Sequence, residues 1–408
     1  MGRTAEHILT KAEAGKGGLG VLALLSALMG FASISTDLYL PALPAMASAL
    51  RAGPGAMEWT ISGYLIGFSL GQLVWGPIGD RYGRRAPVAL GLIIFAIGSA
   101  GCALAASPGQ IMGWRIVQAL GACAAVVLSR AMVRDLYEGE KAAQMMSTLM
   151  TVMAVAPLIG PLLGGQILAI ASWRAIFWTL VAVGAVTLAA LATMPETLPI
   201  ERRNREPLRA AFGNYVRLLG ERRILGFAGA GAFFYGGMFA YIAGTPFTYI
   251  DFYRVPPSWY GLLFGLGIVG VMAANLLNAR LVAILGGARL LKIGALTAAV
   301  SGLVLAFETS SGLGGLAGLV APLLVFVAAT GFIVANSIAG ALSAFPERAG
   351  AVSALVGALQ YGSGVAGSGL VGALADGTPW PMGLTIALSG LGCAACAWGF
   401  VPATRNLN

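Results

Sequence analysis

Charge is scarce in this sequence. Asp, Glu, Lys and Arg make up 10% of its 408 residues, against roughly 25% in an average soluble domain, which excludes an ordinary water-soluble globule. A mean hydropathy of +0.83 excludes a disordered chain as well, because disorder needs low hydrophobicity and high charge. Histidine occurs once, as His7, so Ser-His and Cys-His mechanisms lack their base within the apolar body of the chain. Cysteine occurs four times, as Cys102, Cys123, Cys393 and Cys396, always within apolar runs. The single Cys-x-x-Cys, Cys393 to Cys396, has no second ligand pair to complete a zinc site. No Gly-x-x-x-x-Gly-Lys-Ser/Thr loop is present to cradle nucleotide phosphates. These absences argue against an enzyme, a metalloprotein or an ATP-driven machine, and no cofactor or metal is expected.

Long apolar runs are what the sequence has. A spanning helix needs ~20 apolar residues. Runs of that length give about twelve spans, at 19–44, 57–77, 87–106, 110–132, 146–169, 175–194, 224–247, 259–279, 290–307, 315–342, 350–373 and 380–401. The fold class expected is an all-α membrane protein. Its 59 glycines, about twice the usual ~7%, let helices approach closely where lipid supplies no hydrophobic drive between them. A β-barrel would instead alternate over ~10 residues.

Positive charge sets the orientation. From an inside start, the inside segments hold twenty of the 25 Lys and Arg residues, and the outside loops only Arg51, Arg174 and Arg254. Both termini are therefore expected in the cytoplasm. Topology and lipid headgroups account for the net charge of +9; the basic residues are dispersed and lack a stacking platform for nucleic acid. The longest polar interruption, Pro195 to Arg223, carries seven arginines. The expected organisation is thus a cytoplasmic tail over 1–18, a six-helix bundle over 19–194, a basic cytoplasmic linker over 195–223, a second bundle over 224–401 and a cytoplasmic tail over 402–408. Pro41 and Pro246, each near the outer end of the first span of its half, suit a parallel internal repeat.

Between the second and third spans the chain reads Gly76-Pro77-Ile78-Gly79-Asp80-Arg81-Tyr82-Gly83-Arg84-Arg85. Glycines allow a tight turn with helices close by, and an acid there suits the positive N-terminal end of a facing helix. The pattern resembles the signature of the major facilitator superfamily. That resemblance implies two pseudo-symmetric six-helix bundles and a cytoplasmic gate made by Gly76, Asp80, Arg81, Gly83, Arg84 and Arg85. Asp80 would latch onto the start of span 11 near 349–353, and an arginine would reach Asp135 or Glu138. The fifth span carries Pro157, Gly160, Pro161, Gly164 and Gly165, similar to the glycine-proline motif of proton-coupled exporters in that superfamily. Arg115-Ile116-Val117-Gln118-Ala119-Leu120-Gly121 resembles a further family motif, departing from it at Ala119 and Leu120. The segments Ser35 to Pro44, Met132 to Tyr137, Ser172 to Trp178 and Pro195 to Pro199 look like the bicyclomycin-resistance and chloramphenicol-exporter branch.

An arginine in the hydrocarbon region is costly and marks function by default. Arg115 lies about five residues, ~8 Å, into its span. Of the sixteen acids, Asp37 is expected to be the one well inside a span, short of the outer end of a long first helix. A carboxylate buried beside a cation can take up and release a proton reversibly, so Asp37 is expected to carry the coupling proton and Arg115 to sense its charge. Tyr64, Phe68, Tyr235, Phe239 and Tyr241, with Asn336 and Gln360, are expected to line a substrate cavity.

The function expected is a proton-coupled multidrug or small-molecule efflux antiporter that works by alternating access in the cytoplasmic (inner) membrane of a bacterium. Its partners would be the lipid bilayer and small amphipathic drugs or metabolites, with no nucleic acid, and it would act as a monomer. The alternative is a dedicated metabolite exporter or importer on the same fold.

Overall fold

A computed structural model describes residues 2–203 and 208–402. Of the expected segments, Met1 of the first tail, 204–207 of the linker and 403–408 of the last tail lie outside the described residues. Among the described residues fifteen α-helices follow one another: α1 (Gly2–Asp37), α2 (Leu43–Ala49), α3 (Pro54–Tyr82), α4 (Arg85–Leu104), α5 (Pro108–Leu136), α6 (Gly139–Ile170), α7 (Trp173–Ala192), α8 (Leu208–Leu219), α9 (Arg222–Pro246), α10 (Pro257–Leu285), α11 (Gly287–Ser311), α12 (Gly315–Ala328), α13 (Thr330–Ser343), α14 (Ala349–Ala373) and α15 (Trp380–Gly399). The helices from α1 to α7 form the first bundle and those from α9 to α15 the second, with α8 on the polar stretch between them.

Ten stretches among the described residues are long and apolar enough to cross a membrane. The two remaining expected spans, 57–77 and 350–373, are α3 and α14, which have 29 and 25 residues but are diluted by glycine, serine, glutamine and, in α3, acidic residues. Their position explains the composition. α3 and α14 meet along the seam between the bundles, where Ser62 Oγ lies 2.7 Å from Ser368 Oγ and Ser69 donates to the Ala358 carbonyl at 2.8 Å. Small and hydroxyl side chains are the ones that join helices closely within a membrane. On the opposite face of α3, Gly63, Gly67 and Gly71 admit α5 so closely that side chains there would collide with Met112, Ile116 and Cys123.

Two expected helices are broken. The first span does not run on as one helix to 44: α1 ends at Asp37, and a 3-10 turn, Leu40–Ala42, leads into α2. Pro41 and Pro44 explain the break, because neither can donate a backbone N–H to a continuing helix. Asp37 is therefore the last residue of its helix, at an end whose carbonyls have no intrahelical donor. The expected span 315–342 likewise divides at Ala329 into α12 and α13. α9 passes after Pro246 into a π-helical segment, Phe247–Phe252.

Candidate functional site

Arg115 is fully buried on α5. Its guanidinium carbon lies 4.2 Å from the ring centroid of Tyr39 and 4.3 Å from that of Tyr64, a sandwich in which a desolvated cation gains about 2 kcal/mol. Nη1 donates to the Ser35 carbonyl at 2.7 Å and to Gln118 Oε1 at 2.6 Å, and Gln118 Nε2 donates onward to Ser99 Oγ at 2.7 Å. Ser35 sits in the last turn of α1, at the negative end of the helix dipole. The anion that Arg115 finds is therefore a helix end. Among the described residues no ion pair joins it to Asp37; it holds the backbone two residues before the acid.

Asp37 is 4% exposed, and the glycine-proline segment of α6 packs on it. A Cβ on Gly160 would lie 2.8 Å from Asp37 Cβ, and one on Gly164 would overlap the Leu38 carbonyl. Gly165 faces the Pro257 carbonyl at the start of α10, with 3.2 Å left for a Cβ. Pro157 and Pro161 lie inside the helix. Glycines thus make the surface on which the broken end of α1 rests.

Asp37, Tyr64, Pro157, Tyr235, Phe239 and Tyr241 line a cavity of about 290 Å³ between the bundles. Sequence reasoning missed Tyr361, Phe264 and the four methionines that share its wall, Met150, Met153, Met238 and Met272. Spacing signals none of these, since the face each helix turns inward is fixed by packing.

Three expected lining residues do not reach the cavity. Phe68 lies behind the wall against Tyr361, at a centroid distance of 4.3 Å. Asn336 spends its amide on Asn278 Oδ1 at 2.6 Å and the Phe332 carbonyl at 2.8 Å, joining α13 to α10. Gln360 is buried on α14 near Gly231 of α9. Asp37 is also not the only buried acid: Glu58, in the second turn of α3, is 3% exposed, and its Oε2 has no hydrogen-bond partner.

The second cluster lies at the other end of α3. Arg84 Nη1 bonds Asp80 Oδ1 at 2.6 Å and its Nε bonds Asp135 Oδ2 at 2.8 Å, so Asp135 is the acid reached from this loop. Asp80 is taken up by Arg84. It shares a cavity of about 380 Å³ with Gly76, Arg81 and the first turn of α14, the helix end it was expected to latch.

The acid that caps a helix here is Glu196, and the helix is α4. It accepts the backbone N–H of Arg84 at 2.7 Å and of Arg85 at 3.1 Å, with Thr197 and Leu198 at 3.0 Å each. Burial pushes the Glu196 carboxyl up, but the backbone donors of Arg84, Leu198, Arg85 and Thr197 outweigh it and hold the group below its ordinary range. Gly83, at φ +93°, makes the turn, and a Cβ there would stand 2.6 Å from Glu196 Oε2. Arg85 Nη2 ties the loop to the Ala192 carbonyl at 2.8 Å.

Comparison with known proteins places this architecture. The family model of the Major Facilitator Superfamily matches residues 24–368. The chain is 32% identical to a bicyclomycin resistance protein homolog of Haemophilus influenzae, covering 90% of this chain and 91% of that protein. It is 31% identical to a chloramphenicol resistance protein of Pseudomonas aeruginosa, covering 91% and 90%. In fold it resembles the crystal structure of a D-xylose-proton symporter, with a TM-score of 0.73 at 18% identity over 95% of this chain and 98% of that one. The chain belongs to the major facilitator superfamily, in its bicyclomycin-resistance and chloramphenicol-exporter branch. It is a multi-pass inner-membrane secondary transporter of small molecules and not an enzyme.

Proposed function

We propose that this chain exports small amphipathic compounds in exchange for protons, by alternating access to the cavity of about 290 Å³. One observation carries the reading: among the described residues Asp37 is the single charged side chain in a wall otherwise made of aromatic, methionine, aliphatic and hydroxyl groups. Such a wall accepts a flat apolar body, and methionines re-pack around different shapes. The lone carboxylate can hold a proton or a polar or cationic group of the substrate, and the two compete. Coupling then equals their differential affinity for the two openings of the cavity. One proton moving inward down 100 mV supplies about 2.3 kcal/mol, a concentration ratio of roughly 50.

The names of the relatives support drug-like substrates. The arginine-rich end is assigned to the cytoplasm, together with both termini, on the positive-inside rule, and the 76–85 loop with Asp135 is its gate. At the far end the halves touch: a side chain on Gly55 would overlap the Gly372 carbonyl, and one on Gly261 would press on Leu162. These contacts support a cavity reached from the cytoplasmic side.

The test uses liposomes in inverted orientation with an acidic lumen. Wild type should accumulate several unlike labelled compounds, whereas Asp37→Asn should exchange them at equal pH without concentrating them. Accumulation of one metabolite and no drug would favour the dedicated carrier. If Asp37→Asn keeps full pH-driven uptake, the coupling role of Asp37 is wrong.

A further inference from the structure

The cavity at the arginine-rich end is the larger of the two, and the transport reading leaves its chemistry unused. Asp80, Arg81, Arg84, Arg130 and Arg134 face it, opposite the first turn of α14 from Gly350 to Ala354. With Asp135 beneath Arg84, four arginines meet two aspartates, a net charge of +2. Arg84 pairs with both aspartates.

Arg130 is the residue that asks for a ligand. It is half-buried, its Nε is sealed from solvent without a hydrogen-bond partner, and its Nη2 meets the Met153 sulfur at 4.0 Å. A guanidinium presents five donors in a planar fork, and a thioether is a weak acceptor. Across the cavity, α14 contributes the N–H groups and positive dipole end that helix N-termini offer to anions.

We propose that this vestibule binds a phosphoryl-bearing anion, held by Arg130 and Arg134 on one side and the first turn of α14 on the other. Arginine forks match phosphate oxygens two at a time. The bound anion would bridge the first bundle to the second. Through Met153, which lines the central cavity, its occupancy would be felt at the transport site. The phosphoryl group can come from a soluble phosphate or from the headgroup of an anionic phospholipid.

The full-length protein in phosphatidylcholine nanodiscs separates these sources. In one arm inorganic phosphate replaces chloride at constant ionic strength, and bound radiolabelled phosphate and the unfolding midpoint are followed. In the other, phosphatidylglycerol is added without phosphate, and retained lipid is counted by mass spectrometry. Arg134→Gln, at the exposed rim, should fold as wild type and bind about tenfold more weakly, the loss of one charge-assisted contact. Arg130→Gln combined with it should abolish saturable binding. Saturation in the first arm assigns the site to a soluble phosphate, and saturation in the second alone assigns it to a headgroup. Binding of neither above the chloride background, or binding that both variants leave unchanged, overturns the proposal.

Discussion

Two cavities of similar size, about 290 and 380 Å³, lie to either side of Arg130, and they are built by different physics. The central one is shaped by close packing: glycines of α6 against the end of α1, Arg115 stacked between Tyr39 and Tyr64, and a wall with one charged residue. The one at the arginine-rich end is shaped by charge, through Arg84 with Asp80 and Asp135, and Glu196 on the start of α4. Packing contacts are short-ranged and indifferent to salt. Exposed ion pairs are screened over about 8 Å at physiological ionic strength. The packing of the central region should therefore resist salt but fail under steric insult, whereas the other end should respond to ions.

The sharpest way to break this contrast is Gly164→Val. The new branch falls on the Leu38 carbonyl, and backbone cannot swing aside as a side chain does. Overpacking typically costs about 1–3 kcal/mol where neighbours can yield, so a cost of about 3 kcal/mol and at least a tenfold loss of transport are expected, equal at low and high salt. A loss that salt relieves would show that charge, too, holds the central region together.

Arg115→Lys should rank next. A compact ammonium loses the planar stack on two rings, a cost of about 2 kcal/mol. Thermal unfolding in detergent measures it, and a midpoint equal to wild type would mean that the stack does not hold the break in α1.

What the sequence reveals of this contrast follows from which costs are local. A buried charge is expensive wherever it sits, so Asp37 and Arg115 stand out in an apolar run, and the glycines and prolines of α6 announce a flat, bent helix. The partner of Arg115 was not legible, because the Ser35 carbonyl becomes an acceptor only once α1 breaks at Pro41 and Pro44, and counting apolar residues carries the span past both. The cavity wall was half legible. Tyr64, Tyr235, Phe239 and Tyr241 reach it, while Phe68, Asn336 and Gln360 turn elsewhere, and periodicity on helices apolar all round does not say which face points inward. Arg130 and Glu58 stand close to the ends of their expected spans, where a charge is easily read as interfacial. Glu196 caps a helix 112 residues away in sequence, a contact that no local pattern encodes.

Glu196 also gives the smallest and most discriminating prediction. Its carboxylate is exposed, so Glu196→Gln should cost only about 0.5 kcal/mol, the worth of an anion at a helix start after solvent screening. Because folding lowers its proton affinity, the stabilisation is present above the ordinary glutamate range and is lost as pH falls through the lowered value. The difference in unfolding midpoint between wild type and Glu196→Gln should therefore be present at neutral pH, shrink with added salt, and vanish in strong acid. Should it persist through both, Glu196 would be acting by shape alone. The arginine-rich end would then be held as the central cavity is, and its response to ions would have to come from the arginines that face the vestibule.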